Sequence, residues 1–316
     1  MSAQQILGII ALAVAVIVLV EIGISIYFYR RTMIRNNAKT ERTIKMAGTD
    51  WNQHMAFIQE RKEFMMSQPH EDKWIQSEDG LKLHATWFPQ DTQKKVVICF
   101  HGYTSQGMSD YIALSGYYMK QGYSMLLVDE RAHGESEGKH IGFGCLDRKD
   151  ALQWINLMIE TLGEDVQILL HGTSMGGATV LMTSGLDLPK QVKGIISDCA
   201  FTSPKEVFTH VLRHMIHLPS FPMMQISELL NRRLAGYGLD ECNSAREVQK
   251  AKVPILFIHG SGDTFVPSYM CDKIYENCAS EKHKLIIEGA AHAESYYKDT
   301  EAYEAALNKF IGGVVK

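Results

Sequence analysis

The amino-acid sequence predicts an α/β chain: one doubly wound, mostly parallel sheet with a short helical lid insertion and an N-terminal transmembrane helix. Three observations predict it. Short Val/Ile/Leu runs alternate with amphipathic stretches from Lys95 onward, one Met- and His-rich stretch breaks that rhythm, and the chain opens on a long apolar run. Continuous aliphatic runs separated by helical patterns belong to strands buried on both faces of a helix-covered sheet.

The apolar run covers residues 6–29 and is broken only by Glu21, Ser25 and Tyr27. As a helix it extends roughly 36 Å, enough to cross a bilayer with some tilt. Residues 1–5 carry no Lys or Arg and no small-residue cleavage site follows, so an uncleaved anchor over 1–35 is expected rather than a signal peptide. Arg30, Arg31, Arg35, Lys39, Arg42 and Lys45 all follow the run, and the positive-inside rule then puts the rest of the chain in the cytoplasm. Glu21 opposes a span, since a carboxylate in hydrocarbon costs a few kcal/mol unless protonated, paired or near the interface. The rival reading is a soluble chain whose first helix packs on a partner.

Residues 36–70 read as a polar helical linker, with Trp51, Met55, Phe57, Ile58, Phe64 and Met65 as docking positions. Strands are expected at 73–76 and 81–88, joined by the turn Ser77-Glu78-Asp79-Gly80. The alternation then gives strand 96–101, helix 109–121, strand 123–129, helix 147–161, strand 167–172 and helix 175–184. Strands 192–198, 253–259 and 284–288 complete it, so one domain accounts for 71–316. Residues 201–249 read as two or three helices forming a lid, and no internal repeat is visible.

With 46% hydrophobic and 22% charged residues in 316, the chain has material for a full core. A net charge of -4, without a Lys/Arg stripe interleaved with aromatics, excludes a general nucleic-acid binder. Cys99, Cys145, Cys199, Cys242, Cys271 and Cys278 show no CxxC pairing, so free buried thiols are expected, and zinc-ligand spacing is absent.

The sharpest motif is Gly172-Thr173-Ser174-Met175-Gly176, followed by Gly177 and Ala178. Alone it is weak, but a strand precedes it and a helix follows, the setting a nucleophile elbow requires. Small neighbours leave room for a serine held in strained dihedrals, and the helix N-terminus favours an oxyanion beside it. Serine is a poor nucleophile at neutral pH, so it needs a base and an acid that orients the base. Asp263 follows strand 253–259 and His292 follows strand 284–288, both at the carboxyl edge where open α/β sheets bind ligands. Asp198, at another strand end, is the alternative acid. His101, His133, His171, His210, His214 and His217 read as hydrogen-bonding residues rather than bases, and Met175, Phe221, Met223 and Met224 as core or acyl-pocket residues.

With these motifs in place, the chain from about residue 75 resembles the α/β-hydrolases, of the membrane-anchored serine esterase or lipase kind. His101-Gly102-Tyr103-Thr104 is similar to the family's HG-type oxyanion loop, which implies the backbone N–H groups of Tyr103 and Met175 as the oxyanion donors. The segment from Asp129 to Ser136 resembles the family's D-x-R-G-H-G-x-S loop with Ala132 in place of the first glycine, a motif to which the resemblance assigns structure and not catalysis. The motifs and the resemblance together imply a cofactor-free serine hydrolase cleaving a small-molecule carboxylic ester through Ser174, His292 and Asp263, and the N-terminal helix makes the membrane its other expected partner. Amidase or peptidase, thioesterase or acyltransferase, and a non-catalytic binding protein remain the alternatives.

Overall fold

The computed structural model describes residues 1–35, 48–90 and 94–316. Eight strands form one sheet: β1 Glu71–Gln76, β2 Lys82–Phe88, β3 Lys95–Phe100, β4 Ser124–Val128, β5 Gln167–Thr173, β6 Val192–Asp198, β7 Ile255–Gly260 and β8 Lys282–Ile287. Their spatial order is β1-β2-β4-β3-β5-β6-β7-β8. β1 and β2 pair antiparallel, β2 pairs antiparallel with β4, and every pair from β4 to β8 is parallel. From β3 the chain first turns to β4 on one side and then resumes at β5 on the other, so the β3/β5 boundary is the switch point where such sheets bind ligands.

The period-2 geometry of a strand divides the core. Val96, Ile98, Phe100, Ile168, Leu170 and Phe257 enter one cluster with Trp154, Val180 and Ile274. Val97, Cys99, Leu169, Ile196, Leu256 and Ile258 enter the other with Tyr111, Tyr118, Leu307 and Phe310. Both faces are therefore sealed by helices, which explains the uninterrupted aliphatic runs. Strand and helix ends differ from the sequence expectation by one or two residues. Two helices it did not name, Tyr269–Asn277 and Thr300–Val314, close the C-terminal half.

Between β6 and β7 the chain runs through Pro204–His210, a short π-helix Val211–Met215, Met223–Leu234 and the short Ser244–Glu247. The region 36–70 is described only from residue 48. There Met55–Met66 is helical, with Trp51 and Phe57 packed edge-on to Tyr297 and Met65 fully buried. Met55, expected to dock, is 52% exposed because its side of the helix faces away from the domain.

The first helix spans Ala3–Met33 and is long and apolar enough to cross a membrane, as signal sequences can also be. Its early turns are exposed all round, whereas Ser25, Tyr29 and Met33, four residues apart on one face, are buried against the domain. Backbone bonds fasten its end: Ile141 N donates to Met33 O at 2.9 Å and Arg35 N to Lys139 O at 2.8 Å. The Tyr103 hydroxyl donates to Thr32 O at 3.1 Å. All six cysteines are free and buried.

Candidate active site

Ser174 caps the helix Met175–Thr183 at the end of β5, with φ 55° and ψ −109°. A β-carbon is costly in that region of backbone space, so the turn survives only because its surroundings demand it. They leave no alternative. A methyl added at Gly172 would stand 2.0 Å from Gly176 O, and one at Gly176 would stand 1.9 Å from Phe100 O in β3. Glycine at both positions lets helix and strand close on the serine from either side.

Three side chains distant in sequence meet here. His292 Nε2 lies 2.8 Å from Ser174 Oγ, and His292 Nδ1 lies 2.7 Å from Asp263 Oδ2. All three residues are at most 6% exposed. Asp263 Oδ1 accepts the N–H groups of Phe265 and Val266 at 2.9 and 2.8 Å, which fixes the carboxylate so that only Oδ2 faces the imidazole. Burial alone would raise the Asp263 carboxyl. The charge of His292 and hydrogen bonds from His259 and His292 outweigh burial and hold it well below the usual carboxylate range.

Two backbone donors next to the site are left without partners. Among the described residues neither Tyr103 N nor Met175 N has an acceptor, although their neighbours Gly102, Thr104, Ser174 and Gly176 all do. Met175 is also the first residue of its helix, where N–H groups are left without partners and the dipole is positive.

An apolar cavity of about 320 Å³ opens in front of Ser174. Tyr103, Phe143, Phe201, Val207, Phe208, Val211, Met223, Phe265 and Val266 line it, together with Ile24, Tyr27, Phe28, Arg31 and Thr32 of the first helix. Of the four apolar candidates read from the sequence, Met223 lines the cavity, Met175 and Met224 are core, and Phe221 is 70% exposed.

A family model described as serine aminopeptidase, S33, matches residues 91–241. The uncharacterized protein YqkD of Bacillus subtilis is 29% identical over 225 residues, 71% of this chain and 72% of that protein. Lysophosphatidylserine lipase ABHD12 of Danio rerio is 26% identical over 209 residues, 63% of this chain and 51% of that protein. The Pyrococcus furiosus esterase Pf2001 superposes with a TM-score of 0.66 at 22% identity, over 80% of this chain and 94% of the esterase. Est1E from Butyrivibrio proteoclasticus, solved with ferulic acid bound, gives 0.60 at 18% identity over 77% and 99%. The chain has the α/β-hydrolase fold.

The other candidate residues are occupied elsewhere. Asp198 accepts hydrogen bonds from Tyr303 at 3.1 Å and Ser295 at 3.3 Å and makes none with His292; burial raises its carboxyl to about 6. His101 Nε2 accepts from Glu130 N and His133 Nε2 from Thr104 N, while His171 meets Tyr118 and Tyr303. Burial lowers both His133 and His171 to about 3, so each stays neutral at physiological pH. The loop from Asp129 is knotted into the frame: Asp129 accepts from His84 Nδ1 at 2.9 Å, and the Arg131 guanidinium bridges Asp150 and Asp79. Ala132 sits at φ 64°, the left-handed conformation that explains why glycine suits this position.

One neighbour was missed from the sequence. His259, fully buried in β7, puts Nε2 2.7 Å from Val266 O and 3.4 Å from Asp263 Oδ2, bracketing the acid opposite His292. Its place four residues before Asp263 at a strand end is the signal that could have found it. Cys199, Asp263 and His292 also bring a thiol, a carboxylate oxygen and a ring nitrogen within 4.8 Å of one another. Burial pushes the Cys199 thiol well up, away from the thiolate a metal would need, and Asp263 is already bonded to His292.

Proposed function

We propose that this hydrolase cleaves carboxylic esters through an acyl-enzyme on Ser174. The observation that carries the reading is the unbroken hydrogen-bonded chain Ser174–His292–Asp263, buried and opening into an apolar cavity. Ser174 Oγ attacks the ester carbonyl as His292 Nε2 takes its proton, and Asp263 keeps the imidazole in the Nδ1–H tautomer. The oxyanion forms between the N–H groups of Tyr103 and Met175, each worth about 3 kcal/mol to such a transition state. Collapse of the tetrahedral intermediate expels the alcohol, which takes the proton from His292. Water then repeats the sequence on the acyl-enzyme.

The apolar cavity favours an ester over a peptide. An aminopeptidase holds its substrate's ammonium with a carboxylate, and no Asp or Glu is among the described residues lining the cavity. The reading includes residues 1–35 as an uncleaved membrane anchor, 36–70 as a linker and 71–316 as the hydrolase domain, with 201–249 as its lid. Docking of the first helix through Ser25, Tyr29 and Met33 supports an anchor that stays attached. The basic residues after the apolar run favour a cytoplasmic domain.

A fluorophosphonate probe tests the chemistry. The expected result is labelling of Ser174, lost in Ser174→Ala, with p-nitrophenyl esters turned over at least ten-fold faster than an aminoacyl p-nitroanilide. Folded protein that resists labelling would overturn the reading.

A further inference from the structure

This inference rests on the ester-hydrolase reading and concerns how the substrate arrives. The cavity before Ser174 has two kinds of wall. The domain and lid supply one, and the first helix supplies the other through Ile24, Tyr27 and Phe28. Ile24 is 40% and Tyr27 65% exposed, and Leu218, which also lines the cavity, is 39% exposed. An apolar rim left open to solvent marks a surface that something apolar covers.

Helix length says what covers it. From Ala3 the helix is exposed on all sides for about 20 residues, or roughly 30 Å, the thickness of a bilayer's hydrocarbon core. Ile24 then lies within a turn of the end of that stretch, and Tyr27 and Phe28 lie one turn further on. Arg30 and Arg31 fall beyond them, at head-group depth, as positive-inside placement requires. Glu21 sits near the same boundary, where its charge costs far less than at mid-membrane. The helix end is held to the domain by the Ile141–Met33, Arg35–Lys139 and Tyr103–Thr32 hydrogen bonds. The depth of the helix in a bilayer therefore sets the depth of the cavity mouth.

We propose that the cavity opens at the acyl–head-group boundary of the bilayer, and that the substrate is a bilayer-resident single-chain lipid ester whose chain runs along Ile24, Tyr27 and Phe28 to bring its carbonyl to Ser174. The volume of about 320 Å³, near the lower end of the roughly 300–1,000 Å³ common for ligand pockets, suits one acyl chain. The covering occupant of the rim is the lipid surface itself, continuous with the membrane-crossing part of the helix.

The test uses the full chain reconstituted in phosphatidylcholine vesicles. The probe is a long-chain alkyl fluorophosphonate carrying a diazirine at its chain end. Ser174 attacks phosphorus and fluoride leaves; light then expels nitrogen and the carbene inserts into whatever the chain end touches. Cross-links from labelled Ser174 into residues 20–32 are expected. So is hydrolysis of p-nitrophenyl palmitate at least ten-fold faster when the ester shares the protein's vesicles than when it is offered in separate ones. Labelling of Ser174 with cross-links confined to the lid and domain, or equal rates in the two arrangements, would overturn the proposal and leave the esterase reading intact. Absence of labelling would remove the esterase reading and this proposal with it.

Discussion

Replacing Asp263 with asparagine keeps the shape of the site and should abolish most of its chemistry, for a reason visible in the hydrogen bonds. Asp263 Oδ1 accepts two backbone N–H groups at 2.9 and 2.8 Å, so the amide oxygen of asparagine must take that place. Its NH₂ group then faces His292 Nδ1, which now sits 2.7 Å from a carboxylate oxygen. A donor there forces Nδ1 to become the acceptor and moves the ring proton to Nε2, the atom 2.8 Å from Ser174 Oγ. In the proposed mechanism His292 would then point a proton at the Ser174 hydroxyl it should deprotonate. Tautomer reversal of this kind in serine hydrolases costs about 10,000-fold in kcat, or about 5.5 kcal/mol of barrier. The assay is kcat and KM for p-nitrophenyl butyrate at pH 7.5, with Asp198→Asn measured in parallel. KM should change little, and Asp198→Asn should stay within ten-fold of the parent. Activity in Asp263→Asn within ten-fold of the parent would refute the reasoning, and a 10,000-fold loss in Asp198→Asn instead would transfer the acid's role to that residue.

Other perturbations follow from the same geometry. Gly172→Ala puts a methyl 2.0 Å from backbone that cannot move without unseating the elbow, so loss of folded protein is expected by thermal melting and size exclusion. Ala132→Gly relieves a left-handed alanine at φ 64°; set against the added freedom of the unfolded chain, a net gain of about 0.5–1 kcal/mol should raise Tm by about 2 °C. The Asp198 carboxyl is raised by burial from 3.8 to about 6, so the folded state holds its proton more tightly than the unfolded state does. That contribution to stability is complete below about pH 4 and is lost as pH rises through about 6, a change of up to roughly 3 kcal/mol. In Asp198→Asn this part of the decline should vanish from denaturation curves taken at pH 4 and pH 7, while Asp147, also raised to about 6, keeps its share in both proteins.

Much of the architecture was legible because its signals are local. Each central strand is an aliphatic run whose alternate residues enter opposite core clusters, and the elbow shows itself through the glycines at 172 and 176 that no other residue could replace. The three side chains at the sheet edge were legible as a set because each follows a strand whose end could be read. What escaped depends on tertiary contact. The docked face of the first helix, Ser25, Tyr29 and Met33, stands inside a run that is apolar all round, so no change of period marks it. His259 looked like one more strand residue until the turn after β7 folded Asp263 back against it. Met55 failed as a docking position because an apolar side chain in a short helix says nothing about which side the domain lies on.

The Tyr103 hydroxyl reaches Thr32 O while the same residue lines the cavity together with Ser174. One residue thus joins the end of the first helix to the cavity before Ser174. A version of this protein trimmed of its first 35 residues would lose that tie along with Ile24, Tyr27 and Phe28, and the pocket would become a wet trough floored by bare Phe143 and Phe208. If the proposed ester hydrolysis holds, rates measured on such a fragment would describe a bared apolar surface that favours short, soluble esters rather than the walled pocket of the intact chain.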